Sequence, residues 1–202
     1  MRTIVPVTAV VLAGGASRRM GRDKRLLIVE GAPLIRRVVE ALAFASETLV
    51  VHDPTRPMQP AILDGSGARL VADLRPDTGP LAGLEAGLTA AQWPIVMVVG
   101  ADMPWLEPAL LVHLADTLAA SPGDECVVIR TARGPEPLLA AYRRDPVLAH
   151  GTTLLDSGER RLGALLGGLS IRAVDDEERV RFDPTLRSTR DIDTPADLAR
   201  AG

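Results

Sequence analysis

Aromatic residues are nearly missing from this 202-residue chain: two Trp, one Tyr and two Phe make up 2% of it. Without large rings the core must be built from Leu, Val, Ile and Ala, and no row of aromatic side chains is available to stack the bases of a single-stranded nucleic acid. Cysteine occurs once, as Cys126, which excludes an intrachain disulfide and a cysteine metal cluster and fits a reducing cytoplasm. Beside Val127 and Val128 it is expected to be a small buried hydrophobe. The three histidines, His52, His113 and His150, are too far apart for metal-ligand spacing. No apolar run approaches the roughly 18 residues of a membrane span, and the N-terminus carries no signal-peptide pattern. A cytoplasmic chain that engages no membrane is the expectation. Excess positive charge is missing too: 23 Lys and Arg face 26 Asp and Glu, a formal net charge of −3, so no global field favours nucleic acid. No Gly-x-Ser-x-Gly elbow offers a serine nucleophile.

What is present has the composition of an ordinary globular protein, 47% hydrophobic, and the length suits one domain, expected to span residues 1–202. Apolar runs and helical patterns alternate along it. Residues 7–12 (VTAVVL) read as a buried strand and 26–29 as a short extended piece. Pro33 opens a helical pattern reaching about residue 45, followed by strands at 48–51 (TLVV) and 69–72 (RLVA). Pro80 starts a second helix, 95–99 (IVMVV) is a strand, and 107–119 has helical period. Residues 126–130 and 138–142 read as strands paired across the ARGPEP turn. Residues 145–168 look helical but broken at Gly151 and Gly158, 170–174 make a last strand, and 195–200 a short helix. The Pro-rich stretch 52–60 reads as a surface loop. This alternation predicts an α/β fold, a parallel or mixed sheet covered on both faces. Ligands of such folds bind beyond the carboxyl ends of the strands, which places the chemistry after Leu12, Val51, Ala72 and Val99.

The segment after the first strand, AGGASRRMGRDK, matches neither a Walker A loop nor a dinucleotide fingerprint. It supplies two glycines, Gly14 and Gly15, that let a ligand approach the backbone, followed by Arg18, Arg19 and Lys24. Arg19 is a planar fork and Lys24 a mobile point charge, suited to phosphate oxygens. A phosphate cradle and a solvated loop both fit this composition. Asp102 follows the central strand in GADMP, where a carboxylate suits Mg²⁺, while helix or turn capping is its commonplace use. Asp73, after the third strand, is a second carboxylate at the same edge, available to a base, a ribose or a metal, or to a turn. TGPLAGL at 78–84 brings small residues to a helix start, with Gly83 and Gly87 serving ligand approach or helix-to-sheet packing. His52 ends a strand on the presumed ligand edge, whereas His113 lies in a helical pattern and reads as structural. Arg160 and Arg161 form a second basic point that also reads as a solvated helix face, and the acidic run at 175–179 reads as a solvated turn.

With these residues assembled, the chain resembles the molybdenum cofactor guanylyltransferase family of nucleotidyltransferases. LAGGASRRMGRDK is similar to that family's opening signature nearly position for position, and GPLAGL, ADMPWL and EPLLAAYRR follow in the family's order. The opening motif is shared with cytidylyl- and sugar-phosphate nucleotidyltransferases; the ordered set, covering about residues 6–200, is more specific. The resemblance implies a Rossmann-like three-layer α/β/α sandwich with a mostly parallel mixed sheet, of the nucleotide-diphospho-sugar transferase type. It implies that Leu12, Ala13, Gly14 and Gly15 contact the guanine nucleotide, that Lys24 and Arg19 serve its phosphates, and that His52 and Asp73 are nucleotide-binding. Asp102 falls at the position of the Mg²⁺ ligand. The implied substrates are GTP and molybdopterin or molybdenum cofactor, with transient contact to proteins that deliver the cofactor or accept the product. Gly14-Gly15 favours the guanylyl branch over cytidylyl relatives, which read Leu-Ala-Ala-Gly. CTP with molybdopterin, or a sugar-phosphate or phospholactate acceptor, is the alternative. Near the C-terminus the family shows Asn-x-Asn-Thr-Pro where this chain has Asp191-Ile192-Asp193-Thr194-Pro195, the aspartate form found in cytidylyltransferase and phospholactate guanylyltransferase relatives.

Overall fold

The computed structural model describes residues 5–14, 24–56, 58–194 and 197–198, with Lys24 described through its backbone alone. The strands are β1 (Val7–Leu12), β2 (Ile28–Val29), β3 (Ala32–Pro33), β4 (Glu47–His52), β5 (Arg69–Ala72), β6 (Ile95–Gly100), β7 (Cys126–Thr131), β8 (Gly134–Arg143) and β9 (Ile171–Val174). The helices are α1 (Leu34–Ala41), α2 (Pro80–Ala90), α3 (Pro108–Ala120), α4 (Arg144–Asp156), α5 (Leu162–Leu165) and α6 (Asp176–Arg179). Seven strands form one mixed sheet in the order β5-β4-β1-β6-β8-β7-β9, in which β8 alone runs against its neighbours. β2 and β3 form a separate small hairpin, turned by Glu30 and Gly31 at φ 47° and 85°.

The sheet is apolar on both faces because helices cover both. On one face β1, β6, β7 and β8 send Ala9, Met97, Val127 and Ala141 against Leu34 and Val38 of α1 and Leu110, Leu114 and Leu118 of α3. On the other, Val10, Val98, Val128 and Tyr142 meet Leu81, Leu84 and Leu88 of α2, Val147 and Leu155 of α4, and Leu162 and Leu165 of α5. Neighbouring residues of one strand thus belong to different cores, as the two-residue strand period requires. Cys126 lies fully buried as expected, and burial pushes its thiol up to about 12, which leaves it unreactive. No helix among the described residues is long and apolar enough to cross a membrane.

One expectation is corrected and one refined. Gly151 does not break its helix: α4 runs through it, because the bare Cα faces α5 and α2, where an added Cβ would stand 3.7 Å from Leu165 and 3.9 Å from Leu81. The acidic run at 175–179, expected as a solvated turn, is exposed at Asp175, Asp176 and Glu177 but forms a capped turn of helix. The Asp175 carboxylate accepts the Glu178 N–H at 2.9 Å, and Arg179 is buried, donating to the Leu186 carbonyl at 2.7 Å. Glu178 also bonds His113 of α3 at 2.8 Å, whose ring stacks on Phe182 at 4.0 Å, so His113 is structural as expected.

α2 approaches the sheet closely through one glycine. A Cβ on Gly87 would stand 2.5 Å from Val10 Cγ1 and 3.3 Å from Val51 Cγ2, whereas one on Gly83 meets nothing nearer than 3.6 Å. Gly87→Ala is therefore expected to lower folding stability by about 1–2 kcal/mol despite the better helix propensity of alanine, and Gly83→Ala to leave it equal or higher, in parallel urea titrations.

Candidate active site

Strands β5, β4, β1 and β6 all point their carboxyl ends the same way, and the segments leaving them enclose a cleft of about 370 Å³, within the size range of small-molecule sites. Leu12, Ala13 and Gly14 enter it from β1, Val51 and Asp53 from β4, Asp73 and Asp77 from the loop after β5, and Gly100 to Asp102 from β6. The hydrogen-bond ladder continues past the strand ends: the Ala13 N–H donates to the Val51 carbonyl at 2.8 Å and the Ala101 N–H to the Leu12 carbonyl at 3.1 Å. Gly79, at φ 103°, and Pro80 open α2 at the cleft floor, a pairing suited to a helix start.

Asp102 owes its pose to a glycine. A Cβ on Gly100 would stand 2.6 Å from Asp102 Oδ1 and 3.4 Å from the Met103 sulfur, so the bare residue lets the carboxylate fold back over the strand end. The Ile192 N–H donates to the Asp102 carbonyl at 3.0 Å and ties the Asp191–Asp193 segment to this turn. Glu136 of β8 and Asp191 share the neighbourhood. Desolvation, then the charges of Asp191 and Asp102, push the Glu136 carboxyl above the usual range; desolvation, then Asp193 and Asp102, do the same to Asp191. All these donors are hard oxygens, the chemistry an Mg²⁺ ion takes. Among the described residues no three His, Cys, Asp or Glu side chains are grouped to hold a metal by themselves.

The opposite wall is held by two carboxylates in contrasting settings. Asp53 is buried; the Thr55 hydroxyl and N–H donate to its Oδ1 at 2.6 and 2.8 Å and hold it below the usual carboxylate range. Asp73 is half-buried, and desolvation, then the charges of Asp53 and Glu85, push it up against the Arg75 N–H, which donates to its Oδ1 at 2.8 Å. Two guanidiniums face these acids. Arg25, nearly buried, donates to the Arg56 carbonyl at 3.3 Å, and Arg56 reaches Asp77 Oδ1 at 3.4 Å.

The structure thus brings Leu12, Ala13, Gly14, Asp73 and Asp102 to one cleft. Gly15, Arg18 and Arg19 lie outside the described residues, as does the side chain of Lys24. His52 is not among the described residues that line the cleft, and its Nδ1 lies 3.2 Å from the Asp53 carbonyl. Strand alternation explains this, since Val51 and Asp53 share one face of β4 and His52 takes the other. Arg160 and Arg161 are also absent from the cleft; Arg161 pairs with Glu159 and Arg160 donates to the Leu155 carbonyl at 3.0 Å. The lining residues not singled out from the sequence are Arg25, Asp53, Arg56, Asp77 and Leu138. Asp53, Arg56 and Asp77 lie in the segments after β4 and β5 where ligand chemistry was expected, and the period of β4 was enough to single out Asp53.

The family described as a MobA-like NTP transferase domain matches residues 9–172. A probable molybdenum cofactor guanylyltransferase from Natronomonas pharaonis is 36% identical over 197 residues, 96% of each chain. One from Chloroflexus aggregans is 38% identical over 201 residues, 95% of this chain and 91% of the relative. Among solved structures, molybdopterin-guanine dinucleotide biosynthesis protein A from Archaeoglobus fulgidus matches with a TM-score of 0.81 at 29% identity, over 96% of each chain. The 2-C-methyl-D-erythritol 4-phosphate cytidylyltransferase of Thermus thermophilus shares the fold, with a TM-score of 0.71 at 17% identity over 100% of this chain and 97% of the other.

The Thr55–Asp53 contact makes a pH-dependent contribution to stability. Because the folded pKa of Asp53 is depressed, that contribution is present above the unfolded carboxylate value and is lost as pH falls through the folded one. Thr55→Val is expected to cost about 1 kcal/mol at pH 7, and the gap to the parent to close in acid denaturation below the folded pKa of Asp53.

Proposed function

The chain belongs to the MobA-like NTP transferase family, and from that premise we propose that it transfers GMP from GTP to the terminal phosphate of molybdopterin or molybdenum cofactor, releasing pyrophosphate. The observation that carries this reading is the convergence of Leu12–Gly14, Asp73 and Asp102 on one cleft at the ends of four parallel strands. The two walls of the cleft divide the work. Gly14 leaves the β1 end bare for a base, and Asp73 accepts hydrogen bonds from base or ribose. Asp102 faces the phosphates. A single domain carries both the nucleotide and the acceptor.

The acceptor phosphate is already an anion, so no residue has to remove a proton from it. One of its oxygens bonds to the α-phosphorus of GTP as the bond from that phosphorus to the β-bridging oxygen breaks, and the bridging oxygen leaves with pyrophosphate. The barrier is repulsion between two anions together with charge gathering on the leaving group. Lys24 and Arg19 offset that charge and hold the phosphates in line. Asp102 would hold Mg²⁺, a hard cation suited to its carboxylate, and the bound ion would supply Lewis-acid neutralisation of the same charge. Asp102 keeps its position because Gly100 leaves it room and the Ile192 N–H holds its carbonyl.

Pyrophosphate release measured with GTP, CTP and UTP, with and without molybdopterin, tests the assignment. GTP with molybdopterin is expected to give the fastest release, and a preference for CTP would overturn the guanylyl reading. Asp102→Ala is expected to lower Mg²⁺-dependent turnover by about 10²-fold or more, and unchanged turnover would remove the metal assignment. Among the described residues a Cβ on Gly14 would meet only the Asp53 nitrogen, at 3.7 Å, so Gly14→Ala should fold normally. Its GTP turnover is expected to fall by about tenfold relative to CTP in the same assay.

A further inference from the structure

α2 (PLAGLEAGLTA) is made of small and apolar residues, with Pro80 and Thr89 besides Leu, Ala and Gly, and carries a single charge, Glu85, which lies buried at 7% exposure. An ionised carboxylate buried there costs several kcal/mol unless it is paired. Glu85 is paired from two elements. Arg75, in the loop after β5, sets its fork on the two carboxylate oxygens, Nε at 2.9 Å and Nη2 at 3.2 Å. Thr152 of α4 donates its hydroxyl at 2.9 Å. The remaining Nη1 of Arg75 reaches Asp156, at the end of α4, at 2.8 Å.

Arg75 has a second attachment. Its backbone N–H donates to Asp73 Oδ1 at 2.8 Å, and its carbonyl accepts the Thr78 N–H at 3.2 Å, so the 73–78 turn is built around this one residue. The other Asp73 oxygen, Oδ2, lies 4.0 Å from where a Gly83 Cβ would stand on the cleft floor. The chain of contacts therefore runs from Glu85, through the guanidinium and backbone of Arg75, to the carboxylate that lines the cleft.

With the Glu85 side chain buried and that of Arg75 37% exposed, this ion pair is a poor way to stabilise a fold, because desolvating the carboxylate offsets much of the attraction and solvent screens the rest. What the pair supplies here is geometry and charge balance. The fork allows one placement of Arg75, and its positive charge offsets the Glu85 charge that would otherwise act on Asp73. We propose that Glu85 is a positioning residue for nucleotide binding: it anchors Arg75 so that the 73–78 turn presents Asp73 to the nucleotide. This rests on the nucleotidyltransferase reading above and adds to it a determinant of GTP affinity that lies outside the cleft.

The test uses the full-length protein with Glu85→Leu, Arg75→Met, the double variant Arg75→Met/Glu85→Leu, and Asp73→Asn alone and combined with Glu85→Leu. Hydrogen exchange without nucleotide reads the turn directly. The Arg75 and Thr78 amides are expected to exchange about tenfold faster in Glu85→Leu, while the β1 and β6 amides keep their protection. Steady-state kinetics read the consequence: KM for GTP rises about tenfold with kcat within about threefold, because ground-state placement is lost. The Arg75→Met/Glu85→Leu variant should match the worse single variant, and Asp73→Asn should absorb the effect of Glu85→Leu. Unchanged exchange in the turn, or additive effects of Asp73→Asn and Glu85→Leu on KM, would overturn the proposal. So would a fall in melting temperature with KM unmoved, the mark of a purely structural pair. Exchange is measured without nucleotide and decides on the clamp even if the parent protein turns over no nucleoside triphosphate, an outcome that would count against the activity instead.

Discussion

Leu12 of β1 stands level with Val51 of β4 on one side and with Gly100 of β6 on the other, and the rest of the cleft is built on that alignment. Parallel pairing brings three carboxyl ends to one line, so the residues just beyond them emerge together. A slip of one residue in any of these strands would turn its outgoing side chains to the opposite face. Val51 and Asp53 would leave the cleft and His52 would enter. The register is held by burial on both faces, since a shifted β1 would have to exchange Val10 and Val11 between two different cores. The positions of the polar site residues Asp53, Asp73 and Asp102 therefore follow from the packing of apolar residues in and just beyond the strands, among them Val51 and Ala13.

The same line of strand ends carries more acid than base. Among the described residues, Asp53, Asp73, Asp77 and Asp102 line the cleft, against Arg25 and Arg56. Such a wall suits ligand groups that donate hydrogen bonds, the N–H groups of a base or the hydroxyls of a ribose, and it repels a triphosphate. In the proposed reaction the offsetting charge comes from Arg19 and Lys24 in the signature segment. Discrimination and charge neutralisation thereby fall to different segments, which lets each be tuned without disturbing the other.

Much of the fold was legible in the sequence because its core strands are short, β-branched and buried on both sides, a pattern that 7–12 and 95–99 display plainly. Pro80 after a glycine announced α2 for a local reason, the missing N–H at a helix start. The failures were of another kind. Gly151 looked like a break because propensity is a local quantity, while the Leu165 and Leu81 contacts that keep α4 continuous are distant in sequence. Asp73 and Asp102 were found because each follows a strand immediately. Arg56 and Asp77 fell within the expected strand-end segments but were not singled out, because their pairing depends on loop paths set by the whole sheet. Glu85 was hidden inside a motif already explained by its glycines.

β8 joins the sheet in the opposite direction from its neighbours, and this has a consequence for how such a protein changes over time. On the β1 side of β6, the walls of the cleft are the far ends of parallel strands, each joined to the next parallel strand by a crossover connection, so an altered loop disturbs a crossover. On the β8 side the wall is the near end of a hairpin whose tip, residues 131–134, is free of such crossovers. Insertions or deletions at that tip move Glu136 and Leu138 relative to Asp102 without resetting any helix. The β8–β7 edge is therefore the side of the cleft whose connecting turn can change length at little structural cost.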